Sequence, residues 1–143
     1  MALTPFNKFH AFVEALAEKK HNLGADVLKV YLTNVLPNAA THAVKADLAE
    51  IAAGNGNPAG GKVCALQSSS QSGGLYRLVL GDPPVWTASG ATMATFRYAV
   101  LYNDTALNDD LIGWWDYPGP VSLLVSEQFA IDLDATNGVL TIQ

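Results

Sequence analysis

The sequence predicts a mainly β fold, a sandwich or barrel, with an N-terminal α-helix and one short second helix. Three observations carry this. From Lys62 onward, short apolar runs alternate with breaker clusters such as GDPP, PGP and DATNG. Punctuation of that kind at regular spacing marks all-β domains. In TFRYAVLY, Phe96, Tyr98, Val100 and Tyr102 alternate with Arg97, Ala99 and Leu101, which predicts a long central strand with one aromatic face. Before Gly24 the period is helical instead: Phe6, Phe9, Val13 and Leu16 share one stripe, and Phe12 widens it.

Taken in order, the first element is a helix capped by Thr4, with Pro5 in its first turn and Gly24 at its end. Residues 1–24 then form a helical arm, and residues 25–143 the β-sandwich of a single domain. DVLKVYLT is the first long strand, and NVLPNAATHA a loop. In and just before ADLAEIAAG, Val44, Leu48 and Ile51 recur at helical intervals, so a short second helix is expected there. The strand candidates that follow are VCALQ, LYRLVL, PVWTA, MATFRYAVLY, LIGWWDY, VSLLV, EQFAIDL and VLTIQ. SSSQSGG reads as a flexible loop. Asn137-Gly138 is a two-residue hairpin signal that would join FAIDLD to VLTIQ.

Composition narrows the function. Half of the 143 residues are apolar and 15% are charged, so a packed core is within reach of a single domain. The one cysteine, Cys64, cannot form an intramolecular disulfide and fits a reducing compartment. No apolar run approaches the roughly 20 residues that span a bilayer, and the charged first twenty residues do not read as a signal peptide. A net charge of −5 opposes nucleic-acid binding. Residues 1–62 carry six Lys against five acidic residues, whereas 63–143 carry two Arg against eight acidic residues. That asymmetry suggests a near-neutral end that docks and an acidic end that faces water.

The candidate chemical motifs are sparse. GNPAGGK at Gly56–Lys62 fits most of a phosphate loop, but Val63 stands where a Mg²⁺-binding hydroxyl belongs. The expected order, strand before and helix after, is also reversed, so a helix end followed by a turn is the reading. The three histidines match no zinc spacing and no G-x-S-x-G elbow is present. Asp132, Asp134, Thr136 and Asn137 resemble the first half of a calcium loop whose distal Glu is missing, against a plain polar turn. No catalytic residue, cofactor or metal is therefore expected. GWWDYPGP is the densest aromatic stretch. On a strand, Trp114 and Trp115 point to opposite faces, one into the core and one outward or under a second layer. Phe6, Phe9, Phe12, Trp115 and Tyr117 are the candidate partner-binding residues, with burial of the aromatics under the helix as the plain alternative.

Several segments carry a family resemblance: FHAFVEALAEKKHNL at 9–23, DLAEIAAGNG followed by AGG at 47–61, RYAVLYNDTA at 97–106, LIGWWDY at 111–117 and NGVLTI at 137–142. Their order resembles small structural proteins of tailed bacteriophages that decorate or cement the head. Asn57-Pro58 departs from that pattern, where an aromatic and a small polar residue are expected. The resemblance implies a jelly-roll-like β-sandwich without catalytic residues. It also implies self-association as a homodimer or homotrimer and contact with the major capsid protein. The expected location is the virion exterior, after assembly in the host cytoplasm. The alternative is a tail, neck or fibre module that contacts a glycan or receptor.

Overall fold

The computed structural model describes residues 5–143. They form a mainly β protein with one α-helix and three antiparallel sheets. The five-stranded sheet has the order β1 (Asn7–Lys8), β8 (Leu111–Val121), β7 (Phe96–Asn103), β2 (Leu28–Thr33), β3 (Lys62–Cys64). A three-stranded sheet runs β10 (Leu140–Ile142), β5 (Leu75–Leu80), β4 (Leu66–Ser72). β6 (Trp86–Thr87) pairs with β9 (Gln128–Phe129).

The N-terminal segment enters as a strand. Asn7 and Lys8 pair with Trp114 and Gly113, and the Phe9 N–H donates to the Ile112 carbonyl at 3.1 Å. The helix α1 begins only at His10 and ends at Ala17. Lys19 adopts a left-handed φ of 67°, and its neighbour Lys20 donates its N–H back to the Ala15 carbonyl, which closes the helix well before Gly24. The expected start at Thr4 lies outside the described residues. Phe9 is fully buried and Phe12 is 3% exposed. The expected docking arm is thus part of this chain's own sheet and core.

One face of the five-stranded sheet shares a core with the other two sheets. Val30, Leu32 and Leu101 meet Leu78 and Leu80 of β5, Trp86 of β6, Phe129 of β9 and Phe12 of α1. The opposite face carries a smaller cluster: Phe9, Tyr31, Leu48, Val100, Tyr102 and Leu111, with Trp114 against it. Residues 34–61 cross that face as a long irregular segment. Tyr31 donates its hydroxyl to the Leu48 carbonyl (2.8 Å), Tyr102 to the Gly60 carbonyl (2.6 Å), and Thr33 to the Ala49 carbonyl (2.6 Å). These bonds satisfy backbone groups that a buried loop would otherwise leave orphaned.

The expected second helix is reduced to one 3₁₀ turn at Lys45–Asp47. Its helical spacing reflects burial, since Leu48 and Ile51 are core residues on an extended segment. SSSQSGG is not a loop but most of β4, hairpinned to β5 through Gly73-Gly74. VSLLV is not a strand beyond Val121, the last residue of β8, and runs irregularly into a turn. The Asn137-Gly138 hairpin does not form: β10 pairs with β5, not with the segment before it. The aromatic face of β7 is broken too. Between Phe96 and Tyr98 the partner on β8 jumps from Val121 to Asp116, so the Tyr117–Pro120 stretch bulges and Phe96 turns into the larger core.

Candidate functional site

All five candidate partner residues are committed to ring contacts inside the chain. Phe6 and Trp115 rings lie 5.0 Å apart, Phe9 and Trp114 4.6 Å. Trp115 is 5% exposed and belongs to the larger core. Tyr117 is half-buried and meets Phe129 edge-on at 5.6 Å. Phe12 stacks on His21 at 5.2 Å. The Trp pair does split across the sheet, Trp115 into the larger core and Trp114 over the smaller cluster. Burial under residues 6–17 leaves neither indole as a free platform for a sugar ring.

Gly113 explains how Phe6 fits. A Cβ there would fall 2.2 Å from the Phe6 ring and 2.4 Å from the Asn7 carbonyl oxygen. The bare backbone of β8 is thus what lets β1 and Phe6 lie down on the sheet.

The phosphate-loop candidate is a backbone crossing. The chain enters it from an irregular segment and leaves directly into β3. Gly56 and Gly61 have φ of +100° and +77°, and a Cβ on either would sit 2.0 Å from a carbonyl oxygen, of Thr87 and Val30 respectively. The Gly60 N–H already donates to both carboxylate oxygens of Glu50 (3.0 and 3.2 Å). Glu50 in turn faces Lys45 at 3.4 Å, and the Lys45 ammonium lies 5.0 Å above the Tyr31 ring and 5.8 Å above Tyr102. An acidic side chain therefore occupies the amide that a phosphate would need.

Asp134 is likewise a turn-former. Its Oδ1 accepts from the N–H groups of Asn137 (2.7 Å) and Thr136 (2.8 Å), and Oδ2 from the Asn137 amide (3.0 Å). The Asn137 bonds, then the Thr136 bond, hold its carboxyl below the usual range. Among the described residues, no three His, Cys, Asp or Glu side chains gather as a metal-holding group. The Cys64 thiol is buried and pushed up to about 12, first by burial and then by Asp82. It is a packing residue rather than a nucleophile.

A buried polar cluster sits where the segment after α1, the approach to β2 and the β7–β8 hairpin meet. Asn103 accepts at Oδ1 from the N–H groups of Thr105 (2.9 Å) and Ala106 (3.2 Å), which fixes its amide. Its Nδ2 then donates to Asp26 (2.6 Å) and to His21 Nδ1 (3.0 Å). His21 must accept at Nδ1 and so carries its proton on Nε2, which is buried without a hydrogen-bond partner. Burial lowers the His21 pKa below 6.5, against the pull of Asp110 and Asp26 and with help from Lys20. The folded chain thus holds His21 neutral, and its contribution to stability is complete above the unfolded value. As pH falls below 6.5 the unfolded chain takes the proton first, and stability is lost until the lowered folded value is passed. The melting temperature should fall between pH 7.5 and 5.5 in the wild type, and fall less in His21→Phe. Equal slopes in the two proteins would remove His21 from the account.

The fold leaves aliphatic side chains outward at several places, Leu107 in the β7–β8 hairpin most of all at 96%, and one group of them lies at the other end of the sheet. β2 ends at Thr33 opposite Tyr98, and β8 ends at Val121 opposite Phe96, so both strands exit at one end of the sheet. Beyond them stand Val35 and Leu36, then Leu124 and Val125, all exposed, Leu36 at 69% and Leu124 at 59%. The second pair is built into a closed turn. Glu127 N–H donates to the Leu124 carbonyl, and the Leu124 N–H returns to the Glu127 carboxylate (2.8 Å). Ser126 takes a left-handed φ of 76° and donates to the Ala88 carbonyl, while Ala88 donates to Glu127. The turn is held on both sides with its aliphatic residues outward. Sequence reading missed it because Leu123-Leu124-Val125 looks like strand interior. The signal was Glu127, an acceptor three residues after Leu124.

Compared with known proteins, the chain matches no family model, no curated protein and no solved structure.

Proposed function

We propose that this chain is a non-enzymatic structural protein of a virus particle, seated on the outside of the head against the major capsid protein. The three sheets around a shared core are read as an open sandwich of jelly-roll type. The observation that carries the reading is the aliphatic end, Val35–Leu36 with the closed turn Leu124–Glu127. Exposed aliphatics fixed in a rigid turn cost little ordering entropy on binding and mark an interaction surface. A protein lattice is the favoured partner, since the acidic chain repels nucleic acid and the side chains offered, Val35, Leu36, Leu124 and Val125, are aliphatic, with the neighbouring Glu127 carboxylate accepting from the Leu124 N–H. The segment order that resembles head decoration proteins supports the same assignment, and assembly then takes place in the host cytoplasm.

The double variant Leu124→Asp, Val125→Asp tests this. Both side chains are exposed, so the melting curve should stay within a few degrees of wild type. Co-sedimentation with empty capsid shells should be lost by tenfold or more, as two buried carboxylates oppose docking. Undiminished binding to shells would sink the proposal. Recovery of the chain only with tails or necks would favour the tail, neck or fibre module instead.

A further inference from the structure

The free sheet edges are not equally protected. β1 has two residues and includes Lys8, β3 has three and begins with Lys62, and β10 has three. Shortness and lysine are the devices that keep an edge from pairing with another chain. β4 has neither, and its one irregularity is the register shift between Leu66 and Ser68, outside the Ser69–Gln71 stretch. It runs seven residues, Leu66–Ser72, with no proline and no charge, and every residue but Ser69 is exposed.

The backbone groups it offers follow from its hairpin. Gly73 and Gly74 both have positive φ, 60° and 85°, and Ser72 pairs with Leu75. A two-residue turn of this type closes on a hydrogen-bonded pair. Alternation along the ladder then leaves the N–H and C=O groups of Ser69 and Gln71 pointing away from β5.

Charge favours a second copy as the occupant. The chain carries −5 overall, yet no Asp or Glu lies between Glu50 and Asp82, a span that includes Lys62 and Arg77. Two copies meeting elsewhere on the acidic β half bring carboxylates together, whereas here they bring Ser and Gln together. Arg77 lies one strand inward, opposite Ser70, so the two Arg77 residues would stand three strand spacings apart, roughly 14 Å, where salt screens them.

We propose that β4 pairs antiparallel with β4 of a second copy, fusing two three-stranded sheets into one of six strands about a two-fold axis at Ser70. The backbone of Ser69 then exchanges hydrogen bonds with that of Gln71 in the second copy. This inference does not rest on the capsid reading, and its test uses the free chain without shells.

Light scattering over a wide concentration series is the measurement, joined to amide hydrogen exchange. The wild type should rise from 15.1 kDa toward twice that mass. The amides of Ser69 and Gln71 should become protected as it does. Ser70→Lys places two ammonium groups across the axis on an exposed position. It should keep the wild-type melt and stay at the single-chain mass throughout. Ser69→Pro, which removes an outward N–H and also the Ser69–Tyr76 hydroxyl bond (2.8 Å), should likewise stay at the single-chain mass, with a somewhat lower melt. If the second variant misfolds, Ser70→Lys decides alone. A wild type that remains monomeric at every concentration overturns the proposal. So does an oligomer whose mass Ser70→Lys leaves unchanged.

Discussion

Phe9→Ala should destabilise the entire chain by about 3–5 kcal/mol, the cost of emptying a fully buried aromatic site. The residue stands at the junction of β1 and α1. Its backbone N–H is tied to Ile112, and its ring packs on Trp114 within the cluster that holds Tyr31, Val100 and Tyr102. Urea titration followed by circular dichroism reads the effect as a lower midpoint with unchanged slope. Val13→Ala is the internal control. It lies on α1, one turn beyond Phe9, but is 51% exposed, and it should cost well under 1 kcal/mol. Were residues 6–17 a detachable arm, Phe9→Ala would leave the β transition untouched and abolish only shell binding.

Gly61→Ala should be at least as damaging. The position combines a left-handed φ of +77° with a carbonyl oxygen, that of Val30, 2.0 Å from where the new methyl would go. The obstacle is the backbone of a central strand, which cannot swing aside. Left-handed strain alone costs an alanine about 1–2 kcal/mol. Gly73→Ala measures that part by itself, because Gly73 has φ of +60° and no atom within 4 Å of its would-be Cβ. The expected outcome is a modest loss for Gly73→Ala and a loss several times larger, or no folded protein, for Gly61→Ala. Equal losses would show that the crossing against Val30 contributes nothing.

The sequence reveals burial more faithfully than pairing. β2, β5, β7 and β8 are legible because each is a run of apolar and β-branched residues long enough to pair on a sheet interior. Phe129, Ile131 and Leu133 alternate just as well, and all three are buried. Only Gln128 and Phe129 belong to a strand, however, since the Leu133 N–H finds the Asp82 carboxylate rather than a ladder. Leu48 and Ile51 keep helical spacing for the same reason: they fill sites under residues 34–61 without being helical. SSSQSGG was misleading in the opposite direction. Its serines look like a linker, yet Gly73-Gly74 between two six- to seven-residue segments is a hairpin signal that outweighs them.

The candidate site was less legible than the fold. Exposed aromatics were the expected anchors, and the aromatics proved to be core. A Phe or Trp gains more by burial than any other residue, so its presence on one face of a segment announces a core first. The aliphatic end could not be found from its residues alone. Leu124 and Val125 differ from core leucine and valine only in standing on a turn, and that turn depends on Ala88, Ser126 and Glu127 meeting across the chain.

The most direct measurement is a cryo-electron microscopy map of the assembled particle. The account predicts density for this chain repeated over the outer surface of the head, with the Leu124–Glu127 turn and Leu36 facing the major capsid protein. Density restricted to the tail or neck, or a head-bound chain with that turn facing solvent, would contradict it.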